Sequence, residues 1–285
     1  MLNILVTGAK GQVGSEIKEL SSTYPYVFYF TCKDTLDITN KQAIEAFIQK
    51  HHITAIINCA AYTAVDKAES DEKTANNINH IGVKNLAELS SVYTLKLIHI
   101  STDYVFDGTN YTPYRETDRT NPQSVYGNTK HLGEAALLHV NPKNTLIIRT
   151  SWVYSSYGAN FVKTMLRLAK ERESLGVIYD QVGTPTYAKD LAKAILDILP
   201  LISTTQTEIY HYSNEGVCSW YDFAKEIMNL AGLTCKINPI ETKDYPTPAK
   251  RPSYSLLNKA KIKNDYNIEI PYWKESLSSA LKNIL

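Results

Sequence analysis

Residues 3–14 read NILVTGAKGQVG, an apolar β-rich run followed by three glycines at Gly8, Gly11 and Gly14. A strand that feeds a glycine-rich turn and then a helix brings backbone N–H groups up to a phosphate at the helix N-terminus. The spacing is GxxGxxG, where the commoner dinucleotide fingerprint is GxGxxG, and no GK[ST] follows as a P-loop would require. Downstream the same alternation continues. VFYFTC (27–32), AIINCAA (55–61), LKLIHIST (95–102) and TLIIRTSWVY (145–154) read as strands. GSEIKELSS (14–22), KQAIEAFIQKH (41–51), EKTANNINHIGVKNLAELSS (72–91) and the stretch from Tyr126 to His139 read as the helices between them. Continuous apolar strands separated by helices predict an α/β protein built on a Rossmann-type, doubly wound parallel sheet covered on both faces. Ligands of such sheets lie beyond the C-terminal strand ends, where Thr7, Ala60, Ser101, Thr102, Thr150 and Trp152 fall.

After the second strand, the acid that would hold a ribose 2′-hydroxyl is missing, and Thr31, Cys32 and Lys33 come first. A lysine there attracts a 2′-phosphate, which tilts the cofactor toward NADPH over NADH; a solvated surface lysine is the plain alternative. Asp37 and Ile38, in LDIT, are expected beside the adenine.

Tyr126 and Lys130 in YGNTK stand four residues apart on a helical stretch, so their side chains share a face. An ammonium beside a phenol favours phenolate and should draw the tyrosine pKa down from about 10. Such a tyrosine can exchange a proton with a carbonyl oxygen. Thr102, at a strand end, can donate a second hydrogen bond to that oxygen.

The chain has 285 residues, is 44% hydrophobic and carries a formal net charge of +1. Acids and bases are interspersed, so charge gives no support to a nucleic-acid or membrane partner. MLNILVTGAKG is too short an apolar run for a signal peptide, and no stretch approaches the roughly 20 apolar residues of a membrane span. Cys32, Cys59, Cys218 and Cys235 form no CxxC pair, which suits free thiols in a reducing cytoplasm. The seven histidines show no metal-ligand spacing, and no protein-made metal site is expected. NFVKTMLRLAKERE (160–173), YAKDLAKAILDIL (187–199) and WYDFAKEIMNLAG (220–232) are further helices. Two lobes in close contact are expected: residues 1–150 binding the nucleotide, with a later return near 187–213, and a smaller C-terminal lobe, 151–285, mainly binding substrate.

Taken together, VTGAKGQVG, NCAAYTAVDKAE, STDYVFDG, PYRETD, VYGNTKHLGE, RTSWVY, NFVKTMLRLAKER, DQVGTPT and TPAKRPSYSLLN resemble, in order over nearly the full length, the dTDP-4-dehydrorhamnose reductase family of the extended short-chain dehydrogenase/reductases. The resemblance implies NAD(P)H-dependent reduction of the 4-keto group of dTDP-4-dehydro-L-rhamnose. It implies Tyr126 as proton donor, Lys130 as holder of the nicotinamide ribose and Thr102 as the group polarising the ketone. Gly11, Gln12, Val13 and Gly14 would meet the pyrophosphate, and Ala60, Ala61 and Tyr62 the adjacent ribose and adenine side. Asp103 and Trp152 match sugar-contacting positions, and Asn160, Gln181, Thr186 and Arg251 are candidates for the nucleotide diphosphate. Related dehydratases place an Asp-Glu pair after the threonine; Thr102-Asp103-Tyr104 has no glutamate, which fits ketone reduction. Some members hold metal at a dimer contact made by glutamates. Glu16 matches one position, but Lys189 stands where the partner acid would be, so magnesium is not expected to be essential. The chain would act as a monomer or a homodimer. A reductase or epimerase of another nucleotide-linked 4-keto-6-deoxysugar, and a non-catalytic regulatory homologue, are the competing readings.

Overall fold

The computed structural model describes residues 2–285. Its centre is a six-stranded, all-parallel sheet of β1 (Asn3–Thr7), β2 (Val27–Phe30), β3 (Ala55–Asn58), β4 (Lys96–Thr102), β5 (Thr145–Thr150) and the strand Thr207–His211. Spatial order is β2-β1-β3-β4-β5-(Thr207–His211). The chain winds outward from β1 to β2, then returns to the other side of β1. The reversal leaves a crevice beyond the ends of β1 and β3, where open parallel sheets bind ligands.

Side-chain alternation on the strands divides the core in two. Ile4, Val6, Ile57, Ile98, Leu146 and Ile148 pack on one face with Val13 and Ile17 of α1 (Gln12–Leu20) and with Leu191 and Ile195 of the helix Ala188–Ile198. Leu5, Ile56, Leu97 and Ile147 pack on the other with Ile44 and Ile48 of α2 (Lys41–His51), and with Leu86 and Leu137. All six residues of β5 are buried, as a strand covered on both faces requires. A third cluster, around Tyr154, Val162, Phe223 and Trp273, belongs to the later part of the chain. There the helix Trp220–Ala231 is fixed at its start by a Ser219/Asp222 capping box. Among the described residues, no helix is long and apolar enough to cross a membrane.

Two expected elements are interrupted. The helix expected over 72–91 contains a wide π turn at Asn77–Gly82, between α-helical Glu72–Asn76 and Val83–Tyr93. The extra residue in the turn accompanies a fully buried Asn79, which grips Tyr62 and Thr129. The strand expected over 145–154 stops at Thr150. Trp152 takes a left-handed φ of 49°, and Val153–Tyr154 then pairs instead with Thr186–Tyr187. That break swings the Trp152 ring out of the sheet.

Candidate active site

The glycine turn is shaped by close approach. Gly8 has φ +66°, and a Cβ on it would lie 2.5 Å from the Ala60 nitrogen. A Cβ on Gly14 would lie 2.6 Å from the Gly8 oxygen. Gly11 is the N-cap of α1 and no side chain caps that end. The leading N–H groups of α1, with the positive end of the helix dipole, are therefore available to an anionic ligand.

Two compartments meet at this turn and share Gly11, Cys59 and Ala61. The first, of about 560 Å³, is lined by Gly8, Lys10, Lys33, Asp34, Asp37, Ile38 and Ala60 among others. The second, of about 600 Å³, holds Gln12, Val13, Thr102, Asp103, Tyr126, Lys130 and Trp152. Together they make a trough across the strand ends. Lys10 was not singled out from the sequence; its Nζ pairs with Asp34 Oδ2 at 3.1 Å, so this acid is answered by a base within the compartment.

Tyr62 does not line the trough. Its N–H donates to Asn79 Oδ1 (2.8 Å) and its hydroxyl to Asp71 (3.3 Å), so the side chain anchors its loop while Ala61 faces the trough.

The reactive groups stand on β4 and on the helix Val125–Val140. Ser124 caps that helix by accepting from the Gly127 N–H, which sets Tyr126 in the first turn and Lys130 one turn later. Glycines at 127 and 133 admit the backbones of Tyr104 and Asn79, so the helix lies close against both. Tyr126, Lys130, Thr102 and Asp103 are all nearly or fully buried. The structure departs here from the expectation for the phenol. Burial pushes Tyr126 up to about 12, only partly offset by Thr102. The Lys130 ammonium is directed away, donating to the Ile100 carbonyl at 2.6 Å, and its own pKa is pushed down to about 8 by burial. Tyr126 is thus held as a neutral acid. Asp103 is raised to about 6, again by burial. Thr102 Oγ1 donates to Asp103 Oδ1 (3.1 Å) and accepts from the Tyr104 N–H.

The residues expected to contact the diphosphate are dispersed. Asn160 caps the helix Phe161–Glu171 and donates to Gln12 Oε1 and the Ser155 carbonyl. Gln181 is buried against Thr242, and Thr186 is fully buried beside Thr150. Each is tied to a residue distant in sequence, and none lines either compartment. Arg251 forks onto Asp66 at 3.0 and 2.7 Å, tying the C-terminal loop to the short helix Val65–Ala68. Trp152, by contrast, does line the trough, its ring stacked on Trp220 with centroids 3.6 Å apart. At the contact flagged for metal, buried Glu16 accepts from Ser155, while Lys189 pairs with Glu19 at 2.7 Å. Among the described residues, no three His, Cys, Asp or Glu side chains gather as a metal set.

A parallel sheet with its glycine turn at the switch point, and a buried Tyr-x-x-x-Lys pair facing a strand-end threonine, define a nucleotide-dependent oxidoreductase of the short-chain dehydrogenase/reductase kind. The RmlD substrate-binding-domain family matches residues 2–285, and the chain belongs to that family. Over its whole length it is 43% identical to a dTDP-4-dehydrorhamnose reductase of Aggregatibacter actinomycetemcomitans, covering 98% of that protein. A crystal structure of a dTDP-4-dehydrorhamnose reductase from Clostridium acetobutylicum superposes with a TM-score of 0.93 at 42% identity, covering 99% of both chains. Another, from Bacillus anthracis and in complex with NADP, gives 0.94 at 38% identity, again covering 99% of both.

Proposed function

We propose that this protein reduces the 4-keto group of dTDP-4-dehydro-L-rhamnose to the alcohol of dTDP-L-rhamnose, using NADPH. The observation that carries this reading is the convergence of Tyr126, Lys130 and Thr102 on one trough with the uncapped start of α1. Full-length relatives of that activity support it.

Gln12, Val13 and Gly14 offer their N–H groups to a pyrophosphate, Gly11 holds the turn by donating its own N–H to the Gly8 carbonyl at 2.9 Å, and the missing Cβ atoms of Gly8 and Gly14 let the backbone close under the ligand. Ala60 and Ala61 form the opposite wall, Asp37 and Ile38 border the adenine side, and Lys33 faces a 2′-phosphate. When bound, the dinucleotide supplies the hydride. Tyr126 gives its proton to the ketone oxygen. A phenol held neutral near 12 is in the form a donor needs, and the developing alkoxide is a strong enough base to take the proton. Thr102, turning its hydroxyl from Asp103 to the ketone, stabilises the growing charge. Lys130 holds the nicotinamide ribose from the next turn of the same helix, with its ammonium anchored on the Ile100 carbonyl. Trp152 and Asp103 border the sugar. The later part of the chain, 151–285, serves mainly as the substrate lobe, although Thr207–His211 completes the nucleotide-side sheet.

The test is product analysis by NMR. Supplied with dTDP-4-keto-6-deoxy-D-glucose alone, the protein should oxidise NADPH slowly. Adding a 3,5-epimerase should start turnover with dTDP-L-rhamnose as product, because only one ring configuration sets the ketone against both Tyr126 and the hydride face. Rapid reduction without the epimerase, or another product, overturns the substrate assignment.

A further inference from the structure

One buried group beside the reacting residues has no part in the scheme above. His99, on β4 three positions before Thr102 and 1% exposed, lies between Asn58 and Lys130. Its neighbours fix its tautomer. Asn58 Oδ1 accepts from Thr7 Oγ1 at 2.6 Å and from the Ala60 N–H at 3.2 Å. The Ala60 N–H can only donate, which identifies that atom as the amide oxygen, and the Thr7 hydroxyl donates to it as well. The other end, Nδ2, therefore donates to His99 Nδ1 at 2.9 Å. Nδ1 is an acceptor, and the single proton of a neutral ring sits on Nε2, 3.4 Å from Lys130 Nζ. Burial, with the nearby Lys130 charge, holds the ring neutral by lowering its pKa well below 6.5.

An imidazole N–H set against an ammonium is donor against donor. The conflict disappears when Lys130 is the amine, whose lone pair accepts from Nε2–H. The ammonium has its own partner in the Ile100 carbonyl at 2.6 Å. The pocket thus provides one partner for each protonation state of Lys130. The remaining groups around it do not decide between the two. Burial pushes the Cys59 thiol up to about 12, so it is neutral. Glu134, one turn along the helix, is engaged by Arg149 through contacts of 3.0, 3.2 and 2.7 Å. Tyr126 is the neutral acid already described.

Resting on the assignment of Tyr126 and Lys130 above, we propose that His99, with its tautomer set by Asn58, is a positioning residue that receives Lys130 as the amine once Lys130 has passed its proton toward Tyr126. The balance is simple. Ketone carbon takes the hydride and ketone oxygen takes the Tyr126 proton. The Tyr126 phenolate then regains a proton as an N–H bond of the Lys130 ammonium breaks, directly or through one bridging hydroxyl. The Lys130 amine accepts from His99 Nε2–H until a solvent proton restores the ammonium. Burial, which leaves Lys130 near 8, puts the amine within reach at neutral pH.

The test compares the pH dependence of kcat in the wild type, His99→Gln and His99→Leu. Leucine removes the Nε2–H donor, and glutamine can turn its amide oxygen to the ammonium, so both variants stabilise the amine less. In both, the alkaline limb should move up by about half a pH unit or more, the scale of one lost hydrogen bond, with KM for NADPH nearly unchanged. Both variants keeping the wild-type limb while losing only thermal stability would reduce His99 to packing. NMR of 15N-histidine-labelled protein reads the tautomer independently of turnover. The His99 signal, identified by its loss in His99→Gln or by its proximity to the Asn58 amide, should show an acceptor Nδ1, a protonated Nε2 and no titration near 6.5. A proton on Nδ1, or a ring that titrates there, overturns the proposal. Should the wild type reduce no keto-sugar, the catalytic reading fails, while the NMR still decides the His99 tautomer.

Discussion

The two compartments of the trough meet at Gly11, Cys59 and Ala61 but are built by different means. The glycine-turn side is made largely of backbone: a left-handed Gly8, an uncapped helix start, and walls at Ala60 and Ala61. The reactive side is made of ionisable side chains taken out of water, and burial moves each one toward its neutral form. Tyr126 and Asp103 move up, Lys130 moves down. The first kind of site depends on where no atoms are. The second depends on how much water is excluded, and it reacts to the loss of a single atom.

The largest effect should come from deleting one oxygen on the reactive side. Tyr126→Phe should lower kcat by about 10²–10⁴-fold through loss of the transferable proton, while NADPH binding, followed by its fluorescence, stays nearly intact. Near-normal turnover would remove the distinction between the compartments.

On the backbone side the damage should come from adding an atom. Gly8→Ala forces a Cβ to 2.5 Å from the Ala60 nitrogen at φ +66°. It should destabilise the fold by about 3 kcal/mol, from left-handed strain plus overpacking, and weaken NADPH binding. Gly232 has nearly the same φ, +64°, with nothing within 4 Å of its would-be Cβ. Gly232→Ala should therefore cost only about 1 kcal/mol and leave cofactor binding alone. Chemical denaturation of the pair separates strain from close approach, and equal losses would refute the role given to Ala60.

Asp103 offers a pH test of burial. Its folded pKa, about 6, lies above the ordinary 3.8. The native state therefore keeps a proton that the unfolded chain releases, and stability should fall as pH rises between about 4 and 6. Asp103→Asn should flatten that fall and gain about 3 kcal/mol at pH 7, read from urea midpoints at pH 4.5 and 7. An unchanged slope would place the Asp103 carboxylate in water.

The smallest effect is expected at the exposed end. Lys33→Asp should raise KM for NADPH by about tenfold, the loss of one charge-assisted contact, and change KM for NADH little. Equal changes would return Lys33 to the solvent.

The sequence alone determined what rests on local periodicity and on missing atoms. Alternating apolar strands and helices determined the parallel sheet, and the spacing of Gly8, Gly11 and Gly14 located the turn. The four-residue interval put Tyr126 and Lys130 on one helical face, because 3.6 residues per turn allows little else. Tertiary structure decided the rest, because burial and partner choice depend on chain segments far apart in sequence. TLIIRTSWVY looks like one strand, yet only its packing against Thr186–Tyr187 breaks it at Trp152. Asn160, Gln181 and Thr186 are polar residues in loops or at strand ends, indistinguishable by composition from ligand contacts, and only the fold pairs them with Gln12, Thr242 and Thr150. Proximity of an ammonium to a phenol suggested an acidic tyrosine. Only the fold showed that desolvation outweighs it and that Lys130 turns to Ile100, because the cost of burying charge is set by the surroundings and not by the spacing.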